Sequence, residues 1–106
     1  SDEIELGTGN VFADLGFGDA VERQTKTRLA LEINEILKSR KLRQVEAATL
    51  LEIPQPKVSA LVNYRLDGFS VERLMTLVTR LNRDVEIVIR PNRDDTGGRI
   101  SVHAMR

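Results

Sequence analysis

The segment Ile53-Pro54-Gln55-Pro56 constrains this chain more than any other. Proline has no N–H to give a helix interior, yet it fits a helix's first turn. One helix must therefore stop before this segment and another must start on it. On the near side, Gln44–Leu51 can turn Ala47, Ala48 and Leu51 inward. On the far side, Gln55–Val62 offers Val58 and Leu61 as a buried pair. Longer elements flank the two. Upstream, Leu29, Ile33, Ile36 and Leu37 recur at i, i+4, i+7 and i+8, the apolar stripe of a helix from Asp19 to about Ser39. Asp19 and Glu22 make an Asp-x-x-Glu start signal, and basic residues near the end suit the helix C-terminus. Downstream, Asp67-Gly68 marks a turn and Ser70 can cap a helix Val71–Leu81 lined by Leu74, Leu77, Val78 and Leu81.

After Asn82 the period falls to two. Asp84–Arg90 alternates, with Val85, Ile87 and Ile89 on one face, and Pro91 ends it. A lone strand finds no partner inside a four-helix unit, and unpaired edge groups favour pairing with a second copy. The competing arrangement is a hairpin with Ile100–Val102, after Thr96-Gly97-Gly98, within one chain. The expected fold is mainly α, a compact unit of four to five helices with a C-terminal β-strand used for dimer pairing. Residues 1–18 read as an acidic arm, 19–83 as the helical domain, 84–91 as a dimerisation strand and 92–106 as a flexible tail or short strand.

Charge is segregated along the chain. Residues 1–22 hold six acids and no Lys or Arg, whereas residues 23–83 hold twelve Lys or Arg against six acids. A net charge of zero therefore hides two surfaces of opposite sign, suited to different partners. The acidic stretch reads either as a partner surface or as a solvated leader. Catalysis has little to be built from. There is no cysteine, His103 is the single histidine, and the acids gather at no metal-ligand spacing. No enzyme, cofactor or metal is expected. With no run approaching the roughly 18 apolar residues of a membrane helix, no membrane is expected either. A reducing cytoplasm fits best. At 106 residues the chain is one small domain, whose stability a partner subunit would raise.

Two short helices joined by a tight turn within a small helical domain describe a helix-turn-helix. Ala48 is placed for the close approach of the pair, and Ile53, Val58 and Leu61 lock the second helix onto the first. Gln55, Lys57, Ser59 and Ala60, with Asn63 beyond, are left outward. Gln can bond an adenine edge with both amide atoms, Lys can reach guanine or phosphate, and Ala can pack on a thymine methyl. Gln44, opening the preceding helix, is placed to bond a backbone phosphate. Arg65 and Tyr64, just past the second helix, can reach the DNA backbone, although Tyr64 fits the core edge equally well.

The run Gln44-Val-Glu-Ala-Ala-Thr-Leu-Leu-Glu-Ile-Pro-Gln-Pro-Lys-Val-Ser-Ala-Leu-Val-Asn63 resembles the Gln-x-x-x-Ala…Gln-x-x-Val-Ser-x-Leu pattern of the Cro/CI-like (XRE) DNA-binding domains. The resemblance implies a phosphate clamp at Gln44, base or phosphate contacts at Gln55 and Lys57, groove-facing Ser59 and Ala60, and a phosphate contact at Asn63. Gly9–Gly16, Gly68–Leu74 and Arg83–Ile87 extend it toward compact antitoxins of the HigA type, over roughly residues 9–91. That implies a homodimeric repressor of a palindromic double-stranded operator that also neutralises a small basic RelE/HigB-like ribonuclease toxin. Phe12, Asp14 and Leu15 are then the toxin-binding candidates, unless Phe12 and Leu15 pack on the chain's own helices. The alternative is a stand-alone or phage-type XRE regulator without a toxin.

Three departures from the pattern stand out. Glu52 occupies a turn position usually filled by glycine, where a left-handed backbone costs on the order of 1 kcal/mol. Arg43 replaces the usual Ser or Thr cap, and a cation opposes the helix dipole there, so phosphate contact is its expected compensation. Pro54 replaces the cap of the second helix and leaves N-terminal amides free.

Overall fold

The structure, a computed structural model, describes residues 19–94 and 96–105. Among the described residues four helices follow one another: α1 (Asp19–Ser39), α2 (Gln44–Leu51), α3 (Gln55–Val62) and α4 (Val71–Arg80). Their bounds match the apolar periods and the proline break, with the last helix ending one residue before Leu81. Ser70 caps α4 as its sequence position suggests, its hydroxyl accepting the Arg73 N–H at 3.0 Å. α1 packs chiefly on α4 and α2 chiefly on α3.

One apolar core joins them. Ala30 and Ile33 of α1, Leu51 of α2, Val58 and Leu61 of α3, and Leu74 and Leu77 of α4 are fully buried. The loop between α3 and α4 contributes Leu66 and Phe69, which no helical period announces. In α2 the small residue wholly inside is Ala47, while Ala48 is half-buried. The alanine expected at the close approach is thus one position early, because Ala47 shares a face with Leu51 four residues on.

Each of these four helices is followed by a left-handed residue that is not glycine: Lys41 (φ 54), Glu52 (φ 57), Tyr64 (φ 57) and Asn82 (φ 63). After the first three, the next amide reaches back five residues and closes the helix end. Leu42 N–H donates to Leu37 O (3.0 Å), Ile53 N–H to Ala48 O (3.1 Å) and Arg65 N–H to Ala60 O (2.9 Å). The strain expected at Glu52 is therefore present, and it recurs at three more helix ends.

The carbonyls at three of these ends take a further donor from a distant helix or its flank. Arg80 Nη1 donates to Leu51 O at 2.7 Å, Asn34 Nδ2 to Leu61 O at 3.0 Å, and Arg40 Nη2 to Leu81 O at 2.8 Å. Carbonyls at helix ends lack the i+4 amide of a helix interior, so these donors complete them, Leu61 O also taking the Tyr64 N–H at 3.1 Å. The Asn34 Oδ1 is buried with no hydrogen-bond partner among the described residues.

The expected C-terminal strand is not seen among the described residues. Positions 83–94 and 96–105 form neither helix nor strand, and no hairpin joins 84–90 to 100–102. The physical reason is that a strand's ladder needs a partner, and Val102 instead packs against the helical core. Val85 is borderline exposed, while Ile87, Val88 and Ile89 stand 65%, 74% and 82% exposed. A single chain leaves three consecutive β-branched residues in water.

Candidate nucleic-acid interface

Burial of Val58 and Leu61 fixes the rotation of α3, so Gln55 and Pro56 at its start face solvent and Ser59 lies half-buried beside them. Gln44, first residue of α2, joins them. Gln44, Gln55, Pro56 and Ser59 line one shallow open groove of about 360 Å³. Three of the residues picked out by sequence therefore meet on one surface, with amide and hydroxyl groups side by side. Pro54 caps α3 with its carbonyl, which accepts the Lys57 N–H at 2.9 Å and the Val58 N–H at 3.2 Å. Its side chain makes no cap bond, so the Gln55 amide stays outside the helix ladder at the positive end of the dipole.

The other candidates are arranged differently. Lys57 turns away from the groove: its Nζ donates to Gly68 O at 3.0 Å and sits 5.0 Å from the centre of the Phe69 ring. Gly68 permits this approach, since a Cβ there would stand 2.6 Å from the ammonium. Ala60 is half-buried at the edge of the core. Asn63 folds its Nδ2 back onto Ser59 O at 2.8 Å, keeping its amide oxygen as the outward atom. Arg65 is exposed, and Tyr64 is 43% exposed at the end of α3.

Arg43 does cap α2, in an extended conformation and without a side-chain cap bond. Its compensation comes from Glu46. The Glu46 Oε1 accepts the Arg43 backbone N–H at 2.8 Å and the Arg43 Nε at 3.2 Å. These bonds, the backbone one foremost, hold the Glu46 carboxyl below its ordinary value of 4.5. A carboxylate in the first turn also restores the favourable sign at the positive end of the dipole. An arginine at the cap is thus tolerated without any phosphate.

A second open groove, of about 470 Å³, runs between the end of α1, the start of α2 and the inner side of α3. Leu37, Leu42, Ala47, Val58 and Val62 give it apolar walls, Asn34 lies within it, and Lys38, Lys41 and Gln44 supply polar groups. Asn34 carries no signal in the sequence: it stands between Ile33 and Glu35, off the apolar stripe, and its bond to Leu61 spans 27 positions. The toxin-binding candidates Phe12, Asp14 and Leu15 lie outside the described residues. Among the described residues there is no group of three or more His, Cys, Asp or Glu able to hold a metal ion. Among them, too, no helix is long and apolar enough to cross a membrane.

Comparison with known proteins agrees with this geometry. Residues 11–90 match the family model of a helix-turn-helix domain. A solved structure named for the XRE family of transcriptional regulators is similar, with 57% sequence identity and a TM-score of 0.80. The similarity covers 83% of this chain and 100% of that one. No curated protein matches.

Proposed function

The chain belongs to the helix-turn-helix domain family, and from that premise we propose that it is a sequence-specific, non-enzymatic regulator of transcription that binds double-stranded DNA as a homodimer. The observation that carries this reading is the meeting of Gln44, Gln55 and Ser59 on one open groove beside the start of α3, where no side-chain cap covers the Gln55 N–H. Gln55 presents an amide to a base edge in the major groove, while Gln44 holds the flanking phosphate and sets the register. A homodimer places two such helices on a palindrome whose half-sites lie about one helical turn apart. The exposed Val85, Ile87 and Ile89 are the surface that pairs the two copies.

Selection from a duplex library randomised over about two helical turns tests this. The expected product is a palindrome, bound with an affinity that falls steeply with salt. Gln55→Ala should cost about 1–3 kcal/mol and relax preference at one position of each half-site. Recovery of no sequence, or unchanged preference in Gln55→Ala, overturns the reading.

The finer reading is that the regulator is also an antitoxin, neutralising a RelE/HigB-like ribonuclease and repressing its own operon. It is supported by the HigA-type resemblance of the flanking motifs and by the six acids of residues 1–22, which suit a small basic partner. Affinity capture of the chain from its own cells should bring down such a protein in equal amount, toxic alone and harmless with this chain. Capture of DNA with no stoichiometric protein would assign the chain to the stand-alone regulators.

A further inference from the structure

Resting on the DNA-binding reading, the structure assigns Lys38 and Lys41 as the cations that, with Gln44, seat a backbone phosphate of each half-site. The two grooves share Gln44: one carries Gln55 and Ser59, the other Lys38 and Lys41. The lysine groove therefore continues the base-reading surface past Gln44, where the DNA backbone must run once α3 lies in the major groove.

The commitments of the neighbouring cations point the same way. Arg43 bonds Glu46, Lys57 bonds Gly68 O, Arg40 bonds Leu81 O, and Arg80 bonds Leu51 O and pairs with Glu52. Among the described residues Lys38 and Lys41 make no side-chain hydrogen bond or ion pair, and both are exposed. A cation without an internal partner gives a phosphate its full charge; one already bonded must first break a contact. Lys41 also holds a left-handed backbone, φ 54, at a helix end where glycine would be unstrained. Asn34, in the same groove, gives one Nδ2 hydrogen to Leu61 O and is neutral, so it brings no charge to an anion. The phosphate is held by the two ammonium groups and the Gln44 amide.

The test needs no operator. Affinity of the full chain for a 24-base-pair duplex of mixed sequence is measured by fluorescence anisotropy across a range of salt, because non-specific binding is almost wholly phosphate binding. Removing two phosphate contacts with Lys38→Gln plus Lys41→Gln should make the slope of log affinity against log salt shallower by about 1.8 per protomer. Lys38→Arg plus Lys41→Arg should restore the wild-type slope, and Lys26→Gln, which removes a cation paired with Glu22 on α1, should leave it unchanged. A wild-type slope in the double glutamine variant, or a loss as large in Lys26→Gln, overturns the assignment while DNA binding stands. Absence of salt-dependent binding by the wild-type chain overturns the DNA-binding reading and this assignment with it.

Discussion

At Lys41 the chain turns from α1 into α2 with φ 54, held by Lys41 N–H to Lys38 O at 3.0 Å and Leu42 N–H to Leu37 O at 3.0 Å. A side chain in this region crowds its own backbone by about 1–2 kcal/mol, a cost glycine does not carry. Glycine's extra freedom in the unfolded chain takes back about 0.4–1 kcal/mol. Lys41→Gly should therefore stabilise the fold by a net of about 1 kcal/mol, and a domain this small gains roughly 4–8 °C in melting temperature for each kcal/mol. Lys41→Ala keeps the strain and should melt within about a degree or two of the wild type, on the same scale. Thermal unfolding followed by circular dichroism reads both. The same glycine variant should lose one phosphate contact and flatten the salt slope by about 0.9 per protomer. Greater stability with weaker DNA binding would show that the lysine is kept for its charge against the preference of the backbone. A Lys41→Gly protein that melts no higher than Lys41→Ala would refute the strain argument, whatever its DNA binding.

Other expectations follow from the same contacts. Glu52→Gly should gain less than Lys41→Gly, since it also gives up the ion pair of Glu52 with Arg80 Nε at 3.4 Å, worth at most about 1 kcal/mol where exposed; paired melts compare the two. Asn34→Ala removes one of two donors to Leu61 O, which keeps the Tyr64 N–H at 3.1 Å, and should cost at most about 1 kcal/mol in urea unfolding, with no cost meaning that the Tyr64 bond and loss of the buried Asn34 Oδ1 offset the missing amide. Glu46 should titrate below 4.5 when its carboxyl carbon is followed by NMR. Because the folded value is the depressed one, its stabilisation is present above the unfolded value and disappears as pH falls through the folded one. Glu46→Gln should remove that part of the acid dependence. Ile87→Glu with Ile89→Glu should leave the helical melt intact and yield monomers by sedimentation; unchanged dimers would place the pairing surface elsewhere.

The helices were legible because their causes are local. Proline at 54 and 56, the Ser70 cap and the four apolar stripes each act within a turn or two, and all reappear at the expected residues. Gln44, Gln55 and Ser59 were legible as a group because helix rotation is fixed once Val58 and Leu61 are buried. Lys57 was not. Its place on α3 suited DNA, but its partner is a carbonyl eleven positions away in a loop, and no periodicity reports that. Arg43 looked like a poor cap because the sequence pattern names the cap residue and says nothing of a carboxylate reaching back from Glu46. Asn34, Arg40 and Arg80 act over 27, 41 and 29 positions, so their roles appear only with the fold. The C-terminal segment shows the opposite case: its alternation is plain in sequence, yet a strand is a property of a pair.

The bond from Asn34 to the Leu61 carbonyl has a consequence for how such a protein changes. It grips α3 by its main chain, and Val58 and Leu61 grip it by two inward side chains. None of these attachments reads the identity of residues 55 and 59. The outward letters of the helix can therefore be rewritten while its seat is untouched, much as a key blank can be recut without altering the bow. On the proposed reading of Gln55 and Ser59, descendants of this chain acquire new DNA sequences by exchanging two or three such residues, with the melting temperature scarcely moved.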